Sequence, residues 1–115
     1  MAFKLKADPT FVALVGIPVA GGTSVLVPFI FKHRTWPQIV DFENSIKGRS
    51  DLDVVMDMVE GWVSDAEEAK RLKAEPMEEA FTKENLEILI QNRVGLPPAI
   101  FDVYKTELLK AREKN

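Results

Sequence analysis

Apolar positions along the 115-residue chain fall into two regimes. From Thr10 to Phe31 they run with no charge between them, and from Thr35 onward they recur at helical spacing. Residues 9–34 read PTFVALVGIPVAGGTSVLVPFIFKHR, with Ala20-Gly21-Gly22-Thr23 between two β-branched runs. Glycines between such runs supply the positive φ of a turn, so the stretch predicts a β-hairpin. Its strands are expected over residues 10–17 and 24–33. Phe11, Ala13, Val15 and Ile17 share one face of the first strand; Val12, Leu14 and Gly16 share the other. In the second, Val25, Val27, Phe29 and Phe31 oppose Leu26, Pro28 and Ile30. Both faces are apolar, so both sides of the hairpin want cover. Pro28 cannot donate to a ladder, which predicts an edge strand or a bulge there.

The helical regime divides at its caps. Thr35 is the expected N-cap of a first helix, with Pro37 in the first turn and Gly48 as its end. Ser50-Asp51-Leu52-Asp53 resembles a capping box and opens a second. Leu52, Val55, Met56, Val59 and Val63 line one side of it, with Gly61 near its end. Residues 64–80 are poor in apolar positions and interrupted by Pro76, so they read as a polar, mobile linker or a short exposed helix held by Glu67 and Arg71. Thr82 caps a third helix, with Phe81 and Leu86 placed for a hydrophobic staple. A fourth begins at Pro97-Pro98 and carries Ile100, Phe101, Tyr104 and Leu108 along one side. Two strands followed by helices give an α+β class: an N-terminal β-hairpin packed on three to five helices. The length fits a single domain over 1–115, within which residues 1–8 form a loose arm.

Charge changes this picture more than composition does. The net charge of −3 is distributed as +3 over residues 1–50, −8 over 51–87 and +2 over 88–115. An acidic middle argues against a nucleic-acid binder, which needs a dense basic face. It suits attraction between copies, or a basic partner. Glycine and proline break the one long apolar run, which argues against a membrane span.

Little chemistry is on offer. The chain has no cysteine and one histidine, His33, so neither a thiolate site nor a histidine cluster is expected, and no cofactor. Gly16-Ile17-Pro18-Val19-Ala20-Gly21-Gly22-Thr23 has a phosphate-loop outline, but Gly22 stands where the lysine belongs and a strand follows instead of a helix. Asp51, Asp53, Asp57 and Glu60 line the second helix. They form a solvated face, a docking surface for a basic partner, or, in a third reading, acid–base catalysts in a concave pocket. Trp36, Trp62 and Tyr104 are core residues or interface anchors. The candidate protein-interaction residues are Val25, Val27, Phe29 and Phe31 on the hairpin, with Asp53, Asp57 and Glu60 on the helix.

Several segments together resemble a known family. They are GIPVAGG followed by FIFKHRT, Val59-Glu60-Gly61-Trp62, Phe81-Thr82-Lys83-Glu84-Asn85-Leu86, and the tail Ala111-Arg112-Glu113-Lys114-Asn115. Their order is similar to that of the tail assembly chaperones of long-tailed, non-contractile, lambda-like bacteriophages, over roughly residues 10–63 and 81–115. The polar stretch 64–80 is longer than the family pattern, and Asn92-Arg93-Val94-Gly95-Leu96-Pro97 departs from its aromatic-Pro-Gly turn. The resemblance implies a non-enzymatic protein that keeps the tape measure protein soluble and helps tail tube subunits polymerise around it. It also implies action in the host cell cytoplasm, absence from the mature virion, and a longer product made by ribosomal frameshifting. The alternative is a self-assembling structural or interaction subunit of the tail, with self-association driven by the charge blocks.

Overall fold

A computed structural model describes the backbone of residues 2–113 and the side chains of residues 2–110, so the tail motif at 111–115 lies outside the described side chains. The expected hairpin is present as β1 (Thr10–Ile17) and β2 (Val25–Lys32), paired antiparallel from Thr10 with Lys32 to Ile17 with Val25. The Gly22 amide donates to the Val19 carbonyl at 3.0 Å, and Gly21 takes φ +76° in that turn. A side chain there would be strained, which is why the turn needs glycine.

Next come α1 (Trp36–Ser45), α2 (Asp51–Met58) and β3 (Val59–Trp62). The expected caps are in place. Gln38 Oε1 accepts from the Thr35 amide at 2.9 Å, and Ser50 Oγ accepts from the Asp53 amide at 3.2 Å. Gly48, at φ +81°, follows the end of α1. The second helix is shorter than its apolar stripe predicts: it stops at Met58, and Val59–Trp62 turns into a third strand. The sheet order is β1-β2-β3, so β2 is central and not an edge. Val59 and Gly61 lie in that strand because the open side of β2 rewards pairing more than another helical turn would. The irregularity expected at Pro28 sits instead in β3, where Val59 and Gly61 pair with consecutive β2 residues and Glu60 bulges out.

Pro28 fits a central strand for a specific reason. In an antiparallel ladder one residue's N–H and C=O point to the same side. The Pro28 carbonyl accepts from the Val63 amide at 3.0 Å, so its missing N–H faces the carbonyl of Val63. That carbonyl is taken by the Met77 amide at 2.9 Å, and the Leu26 carbonyl accepts from the Glu75 amide at 2.9 Å. Residues 75–77 thus finish the β2 edge that β3 leaves bare. The stretch 64–80, which its polarity predicts to be mobile or loosely helical, is held to the sheet by these backbone bonds. It also contains α3 (Ala66–Arg71), capped by Asp65, whose Oδ2 accepts from the Glu68 amide at 2.9 Å. The expected Glu67–Arg71 pair is replaced by Glu68–Arg71, three residues apart, with Arg71 Nε 3.2 Å from Glu68 Oε2. The chain ends in α4 (Lys83–Asn92), capped by Thr82, and α5 (Leu96–Glu113).

The core lies between the sheet and the helices. α5 packs on β1, and α2 packs between α5 and the β2–β3 side. Phe29 and Phe31 have no exposed surface, and with Val15, Val27, Leu86, Ile100 and Tyr104 they form the buried centre. Burying each such side chain is worth about 1.5–3 kcal/mol. The aromatic rings interlock. Phe31 stacks on Tyr104 at 5.5 Å, and Trp62 meets Phe29 and Phe81 edge-on at 5.9 and 4.9 Å. Trp62 and Tyr104 are therefore core residues, while Trp36 is about half exposed. Among the described residues, no helix is long and apolar enough to cross a membrane.

Candidate functional site

The structure separates the candidate interaction residues into three groups. Val27, Phe29 and Phe31 belong to the inward face of the hairpin and are buried, so no partner reaches them in the folded chain. The face expected to meet a partner is the one that packs into the core. Helices α2 and α5 cover this face because its aromatic side chains fill the larger volume. Val25 shares the face but stands at the strand end, where it is partly exposed. The outward face is Val12, Leu14 and Gly16 opposite Ile30, Pro28 and Leu26. The α3 segment lies across it: Leu72 shares a groove with Val12 and Leu14, and Ala66 and Lys70 share another with Val25 and Leu26. Pro28 is fully buried on that side, whereas Val12 and Leu26 remain 46% and 47% exposed.

Asp53 and Asp57 form the second group. Arg49 brings them together, with Nε 2.6 Å from Asp53 Oδ2 and Nη1 3.2 Å from Asp57 Oδ2. Asp57 is also bound by Arg34, Nη2 to Oδ1 at 2.9 Å. Arg34 is the centre of this cluster. Its Nη1 donates to Tyr104 Oη at 2.8 Å, and its guanidinium lies 4.1 Å from the Phe42 ring centroid. Tyr104 Oη in turn donates to the Lys32 carbonyl at 2.7 Å. The cluster ties the end of β2, α1, α2 and α5 at one corner. The hydrogen bond from Arg49 holds the Asp53 carboxyl below its ordinary range. Burial holds the Tyr104 phenol above its ordinary range, with Arg34 opposing. Both carboxylates are paired with arginines; Asp53 sits on an open surface while Asp57 lines a shallow cavity with Lys32, His33, Arg34 and Asp41, so the concave pocket enclosing both that the acid–base reading requires is not formed. Glu60, on the β3 bulge, is exposed and joins neither group.

Two apolar grooves were not read from the sequence. One, of about 310 Å³, runs between α2 and the α4–α5 turn and is lined by Ile46, Val54, Val55, Met58, Pro97 and Phe101, with Arg49 and Asp51 on its rim. Val94 stands at its lip, 86% exposed. The other, of about 220 Å³, lies between Trp62, Met77, Ile88 and Leu89. An available signal was Val94 itself, an apolar residue in a turn with no helical stripe to join.

The whole chain, residues 1–115, matches the family model described as phage tail assembly chaperone. The chain belongs to that family. No curated protein and no solved structure matches it. This tail assembly chaperone takes part in building phage tails, in the host cell where they are assembled. Accessible apolar surface lies in the grooves, along the rim of the sheet and on α1 at Trp36 and Val40, while Val27, Phe29 and Phe31 on the aromatic face of the hairpin are buried.

Proposed function

We propose that this chaperone binds the tape measure protein through the groove between α2 and the α4–α5 turn, keeps it soluble, and helps tail tube subunits polymerise around it. The carrying observation is that groove: apolar walls, Met58 at its base, a polar rim, and Val94 standing in water at its lip. Such a groove suits an apolar stripe of a client helix, and methionine adapts to varied partners. An exposed apolar surface of this kind is the usual mark of a binding site. The role is non-enzymatic on this reading. The chaperone works in the host cytoplasm for a non-contractile tail, is absent from the mature virion, and represents the short form of a pair produced by frameshifting.

Co-expression tests the assignment. Tape measure protein is expected in the soluble fraction with the wild-type chaperone and in the pellet without it. Val94→Asp, a change at an exposed position, is expected to abolish the rescue while leaving the chaperone's circular dichroism unchanged. Full rescue by a folded Val94→Asp variant removes the groove from the reading, and failure of the wild type to solubilise any tail protein removes the client.

A further inference from the structure

We propose that residues 3–7 of one copy add as an extra strand to the free edge of β1 in a second copy. Among the described residues β1 pairs only with β2, which leaves its other side open. The Pro9 carbonyl accepts from the His33 amide at 2.9 Å, which turns the odd-numbered residues of this strand toward β2. The N–H and C=O groups of Thr10, Val12, Leu14 and Gly16 therefore point out of the sheet. Edge strands are commonly blunted by lysine, proline or a bulge. β1 has none of these over its eight residues, and no charge.

The arm is patterned like a strand in search of a sheet. Phe3, Leu5 and Ala7 alternate with Lys4, Lys6 and Asp8. Phe3 and Leu5 are 101% and 100% exposed, two large apolar side chains wholly in water. The groove beside the β1 edge matches both halves of this pattern. Val12, Leu14 and Leu72 line it, and Glu107 is its one charged lining residue among the described residues. Glu107 is paired only with its neighbour Lys110, at 3.0 Å, among the described residues. An added arm sets Phe3 and Leu5 beside Val12 and Leu14, with Lys6 and Lys4 toward Glu107. Lys4 carries Asp8 as a partner within the arm.

Turn chemistry assigns the arm to another copy. For all of residues 3–7 to pair with their own β1, which begins at Thr10, only Asp8-Pro9 is left for the turn. Proline fixes φ at about −65°, which excludes the type I′ turn, and Asp8 stands where type II′ takes glycine. Two copies that exchange arms about a two-fold axis bury both and close the assembly.

Sedimentation of the full chain over a range of concentrations tests the exchange. The wild type is expected to show a reversible monomer–dimer equilibrium. Phe3→Asp with Leu5→Asp is expected to weaken it at least about tenfold, a difference of about 1.4 kcal/mol, with an unchanged melting curve. Glu107→Lys is expected to weaken it too, and Lys4→Glu with Lys6→Glu in that background to restore it. A monomer at every concentration overturns the proposal, whether the arm is then found protected on its own strand or seated on a tail protein. A dimer indifferent to the arm substitutions overturns it as well. Failure of the charge exchange to restore dimerisation overturns the pairing with Glu107.

Discussion

Replacing Tyr104 by phenylalanine removes one oxygen from the corner where four elements meet. The ring contacts with Phe31, Phe11 and Phe42 are kept, so no cavity opens. Two hydrogen bonds are lost: the one Tyr104 donates to the Lys32 carbonyl at 2.7 Å, and the one it accepts from Arg34 at 2.8 Å. Arg34 keeps Asp57 and the Phe42 ring, so its charge stays compensated. The Lys32 carbonyl is left without its side-chain partner in a part-buried setting. A polar group stranded in this way costs about 1–3 kcal/mol. At this chain length that corresponds to a fall in Tm of roughly 4–12 °C. Urea unfolding followed by tryptophan fluorescence reads the free energy directly, with an unchanged slope expected because the buried surface is unchanged. Arg34→Met completes a double-mutant cycle, and the two changes should couple by at least about 0.5 kcal/mol. A loss below about 0.5 kcal/mol for Tyr104→Phe would refute the tying role of the Tyr104 hydroxyl, placing the change with ordinary surface substitutions.

Tyr104 is also the only tyrosine, so phenolate absorbance titrates one group. Burial raises its pKa above the ordinary 10.0, so stability should be whole below about pH 10 and decline as the pH rises through the higher folded value. A midpoint at or below 10.0 in the folded protein contradicts the burial argument. The two faces of β2 should differ sharply in urea unfolding: Phe29→Ala should cost about 3–5 kcal/mol and Leu26→Ala less than about 1 kcal/mol. Equal costs would mean that the inward and outward faces are wrongly assigned.

What the sequence made legible is what short-range chemistry decides. Thr35, Ser50 and Thr82 were readable as helix starts because each cap closes three residues on: the Ser50 and Thr82 hydroxyls accept from the Asp53 and Asn85 amides, and the Thr35 amide donates to the Gln38 side chain. The bounds of β1, and those of β2 to within one residue, followed from the apolar run and its glycines. β3 was not legible. Leu52, Val55 and Val59 continue a helical stripe, and only the bare side of β2 makes Val59–Trp62 extend instead. The side of the hairpin that faces the core was undetermined for a related reason. Both faces are apolar, so alternation carried no information, and the choice fell to which face the helices could fill. The arginine cluster was invisible because its partners are 23 and 70 residues from Arg34. Asp53 and Asp57 share a partner, Arg49, that lies in the turn before the helix and not on its face, so the helical pattern gave no sign of it.

These failures bear on where a chaperone of this kind can hold a client. A doubly apolar hairpin looks like a sticky ribbon when it is read alone. In the fold, one face becomes the core, and the α3 segment lies over the other while residues 75–77 close the open side of β2. Those residues come from the stretch with the least apolar content, so a polar segment does the covering and presents its charged side chains outward. Acidic Glu75, Glu78 and Glu79 follow from this, as does the backbone pairing of the partly buried Met77 with Val63. Besides Trp36 and Val40 on α1, apolar surface is left over at the seams: the α2–α5 groove with Val94, the groove with Ile88, and the β1 edge with its arm. Each seam is bordered by charge, at Arg49 and Asp51, at Glu79 and Arg93, and at Glu107. A charged border keeps an apolar seam from associating indiscriminately while leaving it open to a partner of complementary pattern.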